Sequence, residues 1–195
     1  MRYLAFAVLC VLAVVRPDHV EPQTLDLVAQ GRQALDADRP DDAIALFEKA
    51  VAADAKNPAA LAWLGGAQVR KAARLDGMEA AGWVKRGFDT LDEAVERFPD
   101  AFVVYVVRGG TAARVPNLFR KSDVAVKDLT RVIAMKDARP QTVPDAIMPT
   151  VYLDLGLAYK KAGQPATARA TWEKAKSLYP TAPETAAIER ELRSL

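Results

Sequence analysis

The chain has 195 residues, a formal net charge of +2 and a hydrophobic fraction of 51%. This composition suits a folded globular protein, and the near balance of 27 basic against 25 acidic residues gives no general attraction to nucleic acid. Cys10 is the only cysteine and His19 the only histidine. The sequence beyond residue 23 therefore excludes disulfides, thiolate zinc sites and Ser-His-Asp or Cys-His catalysis, and we expect neither a metal nor a cofactor.

Residues 1–23 differ from the rest of the chain. Arg2 precedes an apolar run from Tyr3 to Val15, and Arg16-Pro17-Asp18 follows it. Thirteen apolar residues are too few to span a bilayer comfortably, but they suit the apolar region of a secretory signal. We therefore predict export to the periplasm or the extracellular space. The alternatives are an uncleaved N-terminal anchor, which would be the only membrane contact, and a wrongly assigned start codon.

Residues 24–57 predict a hairpin of two amphipathic helices. Gly31 and Ala43 lie twelve residues apart, on either side of a turn at residues 38–41. A glycine at this position lets the second helix approach closely, and Ala43 is the small residue expected to face it. Phe47 is expected to fill the space one turn later.

Residues 58–101 predict a longer version of the same hairpin. Gly65 and Gly87 are 22 residues apart, so we expect both helices to be extended by one to two turns, with the bend near Asp76-Gly77. Trp83 is expected to pack in the core of this extension, and the alternative is that it anchors a partner.

Residues 102–136 predict a third hairpin. The separation of Gly109 and Ala125 is 16, which places about four added residues within 114–119. We expect Leu118 and Phe119 to tuck under the neighbouring hairpin. The apolar run at residues 103–107 is assigned to the first helix of this hairpin, because its place in the repeat register outweighs its β-propensity.

Residues 149–182 carry the clearest pattern. Two helical segments flank a break at residues 162–165, and Pro180 closes the unit. Their helically spaced residues are Tyr152, Leu155, Gly156 and Tyr159, then Ala168, Trp172 and Ala175. This unit resembles a tetratricopeptide repeat, whose pattern has these residue types at these offsets.

The resemblance implies an all-α, right-handed superhelix of about four helical hairpins, because a single hairpin cannot bury both of its apolar faces. The repeats fall at about 24–57, 58–101, 102–136 and 149–182. Residues 137–148 form a longer connection, with one helical turn near Asp145. Residues 183–195 predict a capping helix with a polar outer face.

In this family the first helix of each repeat lines a concave groove. Carried over by register, the groove positions include Gly66 and Gly110, and they predict an apolar groove with a basic edge. The residues predicted to bind a partner are Arg32, Arg70, Val103, Val106, Arg114, Leu153, Leu157, Lys160 and Lys161.

Arg70, Arg114 and Lys161 share one register position in three successive repeats. Because arginine and lysine in a row can hold carboxylates, we hypothesise that the groove binds an extended or helical peptide with an acidic or C-terminal carboxylate feature. The alternative is that these side chains solvate helix ends and interact with the helix dipoles.

The resemblance implies a non-catalytic protein–protein interaction module, an adaptor or scaffold in the cell envelope with a protein or peptide partner. The alternative is an accessory solute- or lipid-binding protein of a transport system, for which a deep closed apolar pocket is expected. An enzyme is disfavoured because the usual histidine and cysteine chemistry is missing.

Overall fold

The computed structural model describes residues 22–195, and every regular element in this range is helical, which confirms the all-α prediction. Two short 3-10 turns, Asn117–Phe119 and Asp145–Ile147, lie in the connections before the sixth and seventh α-helices. The α-helices of the described range are α1 (Pro22–Asp36), α2 (Pro40–Ala53), α3 (Pro58–Ala72), α4 (Gly77–Arg97), α5 (Phe102–Arg114), α6 (Ser122–Ala138), α7 (Met148–Lys161), α8 (Pro165–Leu178) and α9 (Thr185–Arg193).

The helices pair into four hairpins, α1–α2, α3–α4, α5–α6 and α7–α8, which stack side by side. The first helices of the hairpins, α1, α3, α5 and α7, also pack against one another in succession, and we call them the inner row. The second helices, α2, α4, α6 and α8, form the outer row and make no comparable contact with one another within residues 22–195. Because the inner row is the more closely spaced layer, the stack curves toward it, and the inner row forms the concave face.

A glycine in each inner helix lets its outer helix approach. A Cβ on Gly156 would lie 2.1 Å from Nε1 of Trp172, and a Cβ on Gly31 would lie 2.5 Å from the Phe47 ring. In these two hairpins the glycine therefore faces the large residue, and the expectation that it faces the small residue one turn earlier is wrong for them; in the second hairpin Gly65 meets both Leu91 and the small residue, Gly87. The small residue, Ala43 or Ala168, is itself fully buried. The two middle hairpins have the same contact, Gly65 with Leu91 and Gly109 with Leu129.

The second hairpin is lengthened mainly through α4. This helix begins ten residues before Gly87, whereas α8 begins three residues before Ala168. α3, by contrast, extends only two residues further past its glycine than α7 does. The bend falls at residues 73–76, and Gly77 follows it in the left-handed region with a φ of 57°.

Trp83 lies half-buried near the start of α4. Its ring packs against the apolar core and has two cations over it, with Lys71 Nζ 4.3 Å and Arg86 Cζ 4.7 Å from the ring centroid. Contacts within the chain thus occupy the indole, as the core-packing interpretation requires.

The connection between α5 and α6 differs from its prediction. Phe119 packs against the core, but Leu118 is 74% exposed. The segment Asn117–Phe119 is a 3-10 turn, in which successive side chains point about 120° apart, so the two neighbours cannot both face the core.

The longer connection before α7 is held by one lysine. Lys136 Nζ donates to the carbonyl oxygens of Pro140 at 2.6 Å and Val143 at 2.8 Å, and it lies 2.8 Å from Asp145 Oδ1. Val143 is fully buried, so this segment covers the core.

α9 closes the stack against α7 and α8. Ile188 is buried in this contact, while Arg190 and Arg193 are exposed on the outer side. The predicted capping helix with a polar outer face is present.

Across residues 22–195, no helix is both long enough and apolar enough to cross a membrane. The predicted leader at residues 1–23 falls almost wholly outside the described residues. In the described part of the chain, no group of three or more His, Cys, Asp or Glu side chains is placed to hold a metal ion.

Candidate functional site

Four half-buried apolar side chains lie on the inner row, Val103 and Val106 on α5 and Leu153 and Leu157 on α7. Spacings of three and four residues place each pair on one side of its helix. All four pack against the main core and keep part of their surface exposed. Because α5 packs directly against α7, the structure brings these predicted residues onto neighbouring helices of the concave face.

The predicted cations at the two ends of the inner row are held by contacts within the chain. On α1, Arg32 Cζ lies 5.2 Å from the centroid of the Trp63 ring. On α7, Lys160 Nζ donates to Glu191 Oε2 at 2.9 Å and to Ser194 Oγ at 2.7 Å, both from the C-terminal cap.

The cations that share one register position have three different partners. Arg70 Nη2 lies 3.6 Å from Asp38 Oδ1 in the turn of the preceding hairpin. Lys161 Nζ donates to the carbonyl oxygen of Val115 at 2.8 Å. Arg114 instead reaches forward to α7. The row of cations therefore joins hairpins to one another, which the sequence pattern alone did not show.

The Arg114 partner is Asp154, a buried carboxylate. Nε and Nη2 of Arg114 both lie 2.9 Å from Asp154 Oδ1, and the side chains are 55% and 5% exposed, respectively. A guanidinium carries five N–H donors, so the exposed part of Arg114 retains donors for a second anion. We call the surface formed by Val103, Val106, Leu153 and Leu157 on α5 and α7 the apolar floor. Arg114 lies at the edge of this floor and therefore has N–H donors there that Asp154 does not use.

A hollow of about 400 Å³ opens at the C-terminal end of the concave face. Leu157 is the apolar residue among those that line it, and the others are polar or charged: Asn117, Lys160, Lys161 and Glu191. The hollow therefore suits a polar or charged group of a ligand better than an acyl chain.

One contact recurs between successive inner helices. Each inner helix has one glycine that contacts its outer helix, and we call it the hairpin glycine. The residue two positions before this glycine packs against the preceding inner helix. It contacts there the residue that directly follows the hairpin glycine of that preceding helix. The three contacts are Arg32 with Trp63, Gly66 with Val107, and Gly110 with Asp154.

Gly66 and Gly110, which the register places among the groove positions, serve this packing. A Cβ on Gly66 would lie 3.2 Å from Val107 Cγ1, and a Cβ on Gly110 would lie 3.0 Å from Asp154 Oδ2. These glycines let neighbouring inner helices approach closely, so they lie at the contacts between those helices on the concave face.

Burial raises the pKa of the Asp154 carboxyl to about 6. The charge and hydrogen bonds of Arg114 act in the opposite direction, Glu184 raises the pKa further, and Lys161 lowers it. Sequence reasoning missed Asp154. The signal that marks it is an acidic residue two positions before Gly156, where the two preceding hairpins have Trp63 and Val107.

Comparisons with known proteins agree with this architecture. A tetratricopeptide repeat family model matches residues 150–182, the helices α7 and α8. The solved structure of MamA AMB-1 superposes with a TM-score of 0.55 at 25% identity, over 88% of this chain and 86% of that chain. MamA MSR-1 gives a TM-score of 0.56 at 24% identity, over 88% and 84%. TTC0263, a thermophilic TPR protein in Thermus thermophilus, gives 0.52 at 20% identity, over 87% and 98%. No curated protein matches the sequence significantly.

Proposed function

This chain is a tetratricopeptide repeat protein, and we propose that it is a non-catalytic scaffold whose concave face binds a segment of a partner protein. The observation that carries the proposal is the apolar floor on α5 and α7, which stays partly exposed among residues 22–195 and has Arg114 at its edge. Apolar surface left exposed beside hydrogen-bond donors is typical of protein-interaction sites.

The partner segment that fits this face is apolar with an acidic feature. The half-buried side chains of Val106 and Leu157 would bury its apolar residues. Arg114 would receive its carboxylate through the donors that Asp154 does not occupy. The polar lining of the hollow beside α9 favours such a segment over the alternative of a lipid or an apolar solute.

A display selection of short peptides on the full chain identifies a probe without knowledge of the natural partner. We expect the selected peptides to combine apolar and acidic residues. Leu157→Glu is expected to weaken binding of the best peptide about tenfold or more in a fluorescence anisotropy titration, because it places a charge in the apolar floor.

Leu178→Glu is the matched control for this test. Leu178 lies on α8 in the outer row and is 51% exposed, so the same substitution is expected to leave the affinity unchanged. Equal loss of affinity in both variants, or none in Leu157→Glu, would place the binding surface elsewhere.

We also propose that the scaffold acts in the cell envelope, since the run from Tyr3 to Val15 resembles the apolar region of a secretory signal. A C-terminal alkaline phosphatase fusion to the full chain is expected to be active in bacterial cells. Deletion of residues 3–15 is expected to abolish that activity, and an active deletion fusion would argue against export through this segment.

A further inference from the structure

Asp154 places a charge where the fold does not need one. Two earlier contacts between inner helices fill the same position with Trp63 and Val107, both apolar. An apolar side chain at this position is therefore compatible with the packing of the row. A buried carboxylate carries a desolvation cost that such a residue avoids.

The carboxylate determines where Arg114 lies. Arg70 has the same position in the preceding repeat, but Val107 stands across the row from its helix, and Arg70 turns back to Asp38 at the longer distance of 3.6 Å. Arg114 has Asp154 across the row and is drawn onto it at 2.9 Å. Two arginines at equivalent positions of one chain thus have different carboxylate partners, and only the partner of Arg114 lies on the next inner helix.

We propose that Asp154 determines how strongly the concave face holds an acidic partner segment, because it engages the guanidinium that the partner would bind. This inference rests on the proposed function and deepens it. With Asp154 charged, Arg114 is partly neutralised and its Nε and one Nη are occupied. With Asp154 neutral, its carbonyl oxygen can still accept a hydrogen bond, but the carboxyl no longer compensates the positive charge of Arg114.

Mild acid is the condition that converts Asp154 from its charged to its neutral form. The raised pKa of Asp154, about 6, puts its protonation below neutral pH, and the charged groups around it are Arg114, Lys161 and Glu184. Protonation removes a negative charge from the concave face, so an acidic segment is expected to bind more tightly as the pH falls. Because this pKa lies above the ordinary value of 3.8, the folded state is also expected to gain stability from this group as the pH falls from about 7 to about 4.

The test uses the best peptide from the display selection, synthesised with cysteic acid in place of aspartate and glutamate so that its charge stays constant. For the wild type, we expect the affinity to rise about three- to tenfold between about pH 7.5 and about pH 5.5. Asp154→Asn is expected to bind tightly at both pH values. Arg114→Gln is expected to bind weakly at both.

Two further measurements test the role of Asp154. Asp154→Val, which introduces the residue type of Val107 at the equivalent contact, is expected to fold and to bind like Asp154→Asn. Urea unfolding is expected to show that the wild type gains stability in acid relative to Asp154→Asn, which reports the titration of this carboxyl without any peptide.

The outcomes separate the two proposals. If no peptide binds to the concave face at any pH, the proposed function fails. If the peptide binds there but the wild type and Asp154→Asn show the same affinity at both pH values, the role of Asp154 is overturned and the proposed function stands.

Discussion

Replacing Gly156 by alanine is expected to lower the free energy of unfolding by about 3 kcal/mol. The added Cβ would lie 2.1 Å from Nε1 and 2.3 Å from Cε2 of Trp172. The ring cannot move aside easily, because it is fully buried and its Nε1–H donates to the Leu153 carbonyl oxygen at 3.0 Å. The helices α7 and α8 must therefore separate, or the indole must give up its hydrogen bond.

Gly82→Ala makes the same chemical change where it meets no obstacle. Gly82 lies inside α4, is exposed, and a Cβ there would have no neighbour within 4 Å. Alanine loses less conformational entropy than glycine when a helix forms, so this variant is expected to be about 0.5–1 kcal/mol more stable than the wild type.

Urea unfolding followed by circular dichroism measures both variants. Opposite signs for Gly156→Ala and Gly82→Ala are expected. A stability of Gly156→Ala equal to that of the wild type would show that the close approach of α7 and α8 is not what the glycine provides.

Asp128→Ala is expected to cost about 3–5 kcal/mol of unfolding free energy. Arg108 Nε and Nη2 donate to Asp128 Oδ2 at 2.7 Å and Oδ1 at 2.8 Å, and Nη1 donates to Asp92 Oδ1 at 2.8 Å. The side chains of Arg108 and Asp128 are only 13% and 1% exposed, respectively. Removing Asp128 leaves a nearly buried guanidinium with a single partner at the surface.

The electrostatics of Arg108 show how fully this cation is paired. Burial acts to lower its pKa, but the hydrogen bonds and charges of Asp128 and Asp92 outweigh that effect, so the pKa is raised. The network connects α4, α5 and α6, so its loss is expected to weaken the contact between the second and third hairpins.

The exposed pair of Lys85 and Asp89, at 2.7 Å, provides the control. Both side chains are mostly solvated, so Asp89→Ala is expected to change the stability by no more than about 0.5 kcal/mol. The double variant Arg108→Met/Asp128→Leu is expected to recover most of the loss, since apolar residues of similar size remove the unpaired charge. Thermal unfolding of the four proteins checks the series, and an Asp128→Ala protein as stable as Asp89→Ala would contradict this account of the network.

The repeated spacing of small residues allowed the fold to be predicted from the sequence. A glycine on the first helix, with a small residue and then a large residue four positions later on the second helix, favours close packing of the two helices, and this pattern can be read from local sequence. The sequence also showed that the second hairpin is longer than the others, but it did not show that one helix carries most of the added length. Gly77 begins α4 directly after the turn, so nearly all of the added length lies in one helix.

The concave face was less predictable because its charges depend on contacts between hairpins. The register placed Arg70 and Arg114 at equivalent positions, yet they turn in opposite directions, since one has Val107 and the other has Asp154 across the row. Insertions of different length in the middle hairpins hide the equivalence of Val107 and Asp154. It becomes visible only when residues are counted back from each hairpin glycine.

Methyl NMR of the chain labelled at valine and leucine, with the selected peptide added in increments, shows which face of the stack the peptide contacts. We expect the methyl signals of Val103, Val106, Leu153 and Leu157 to shift together as the peptide binds. The signals of Leu46 and Leu178 on the outer row are predicted to stay in place. Shifts confined to Leu46 and Leu178, with the α5 and α7 signals unchanged, would contradict a binding site on the concave face.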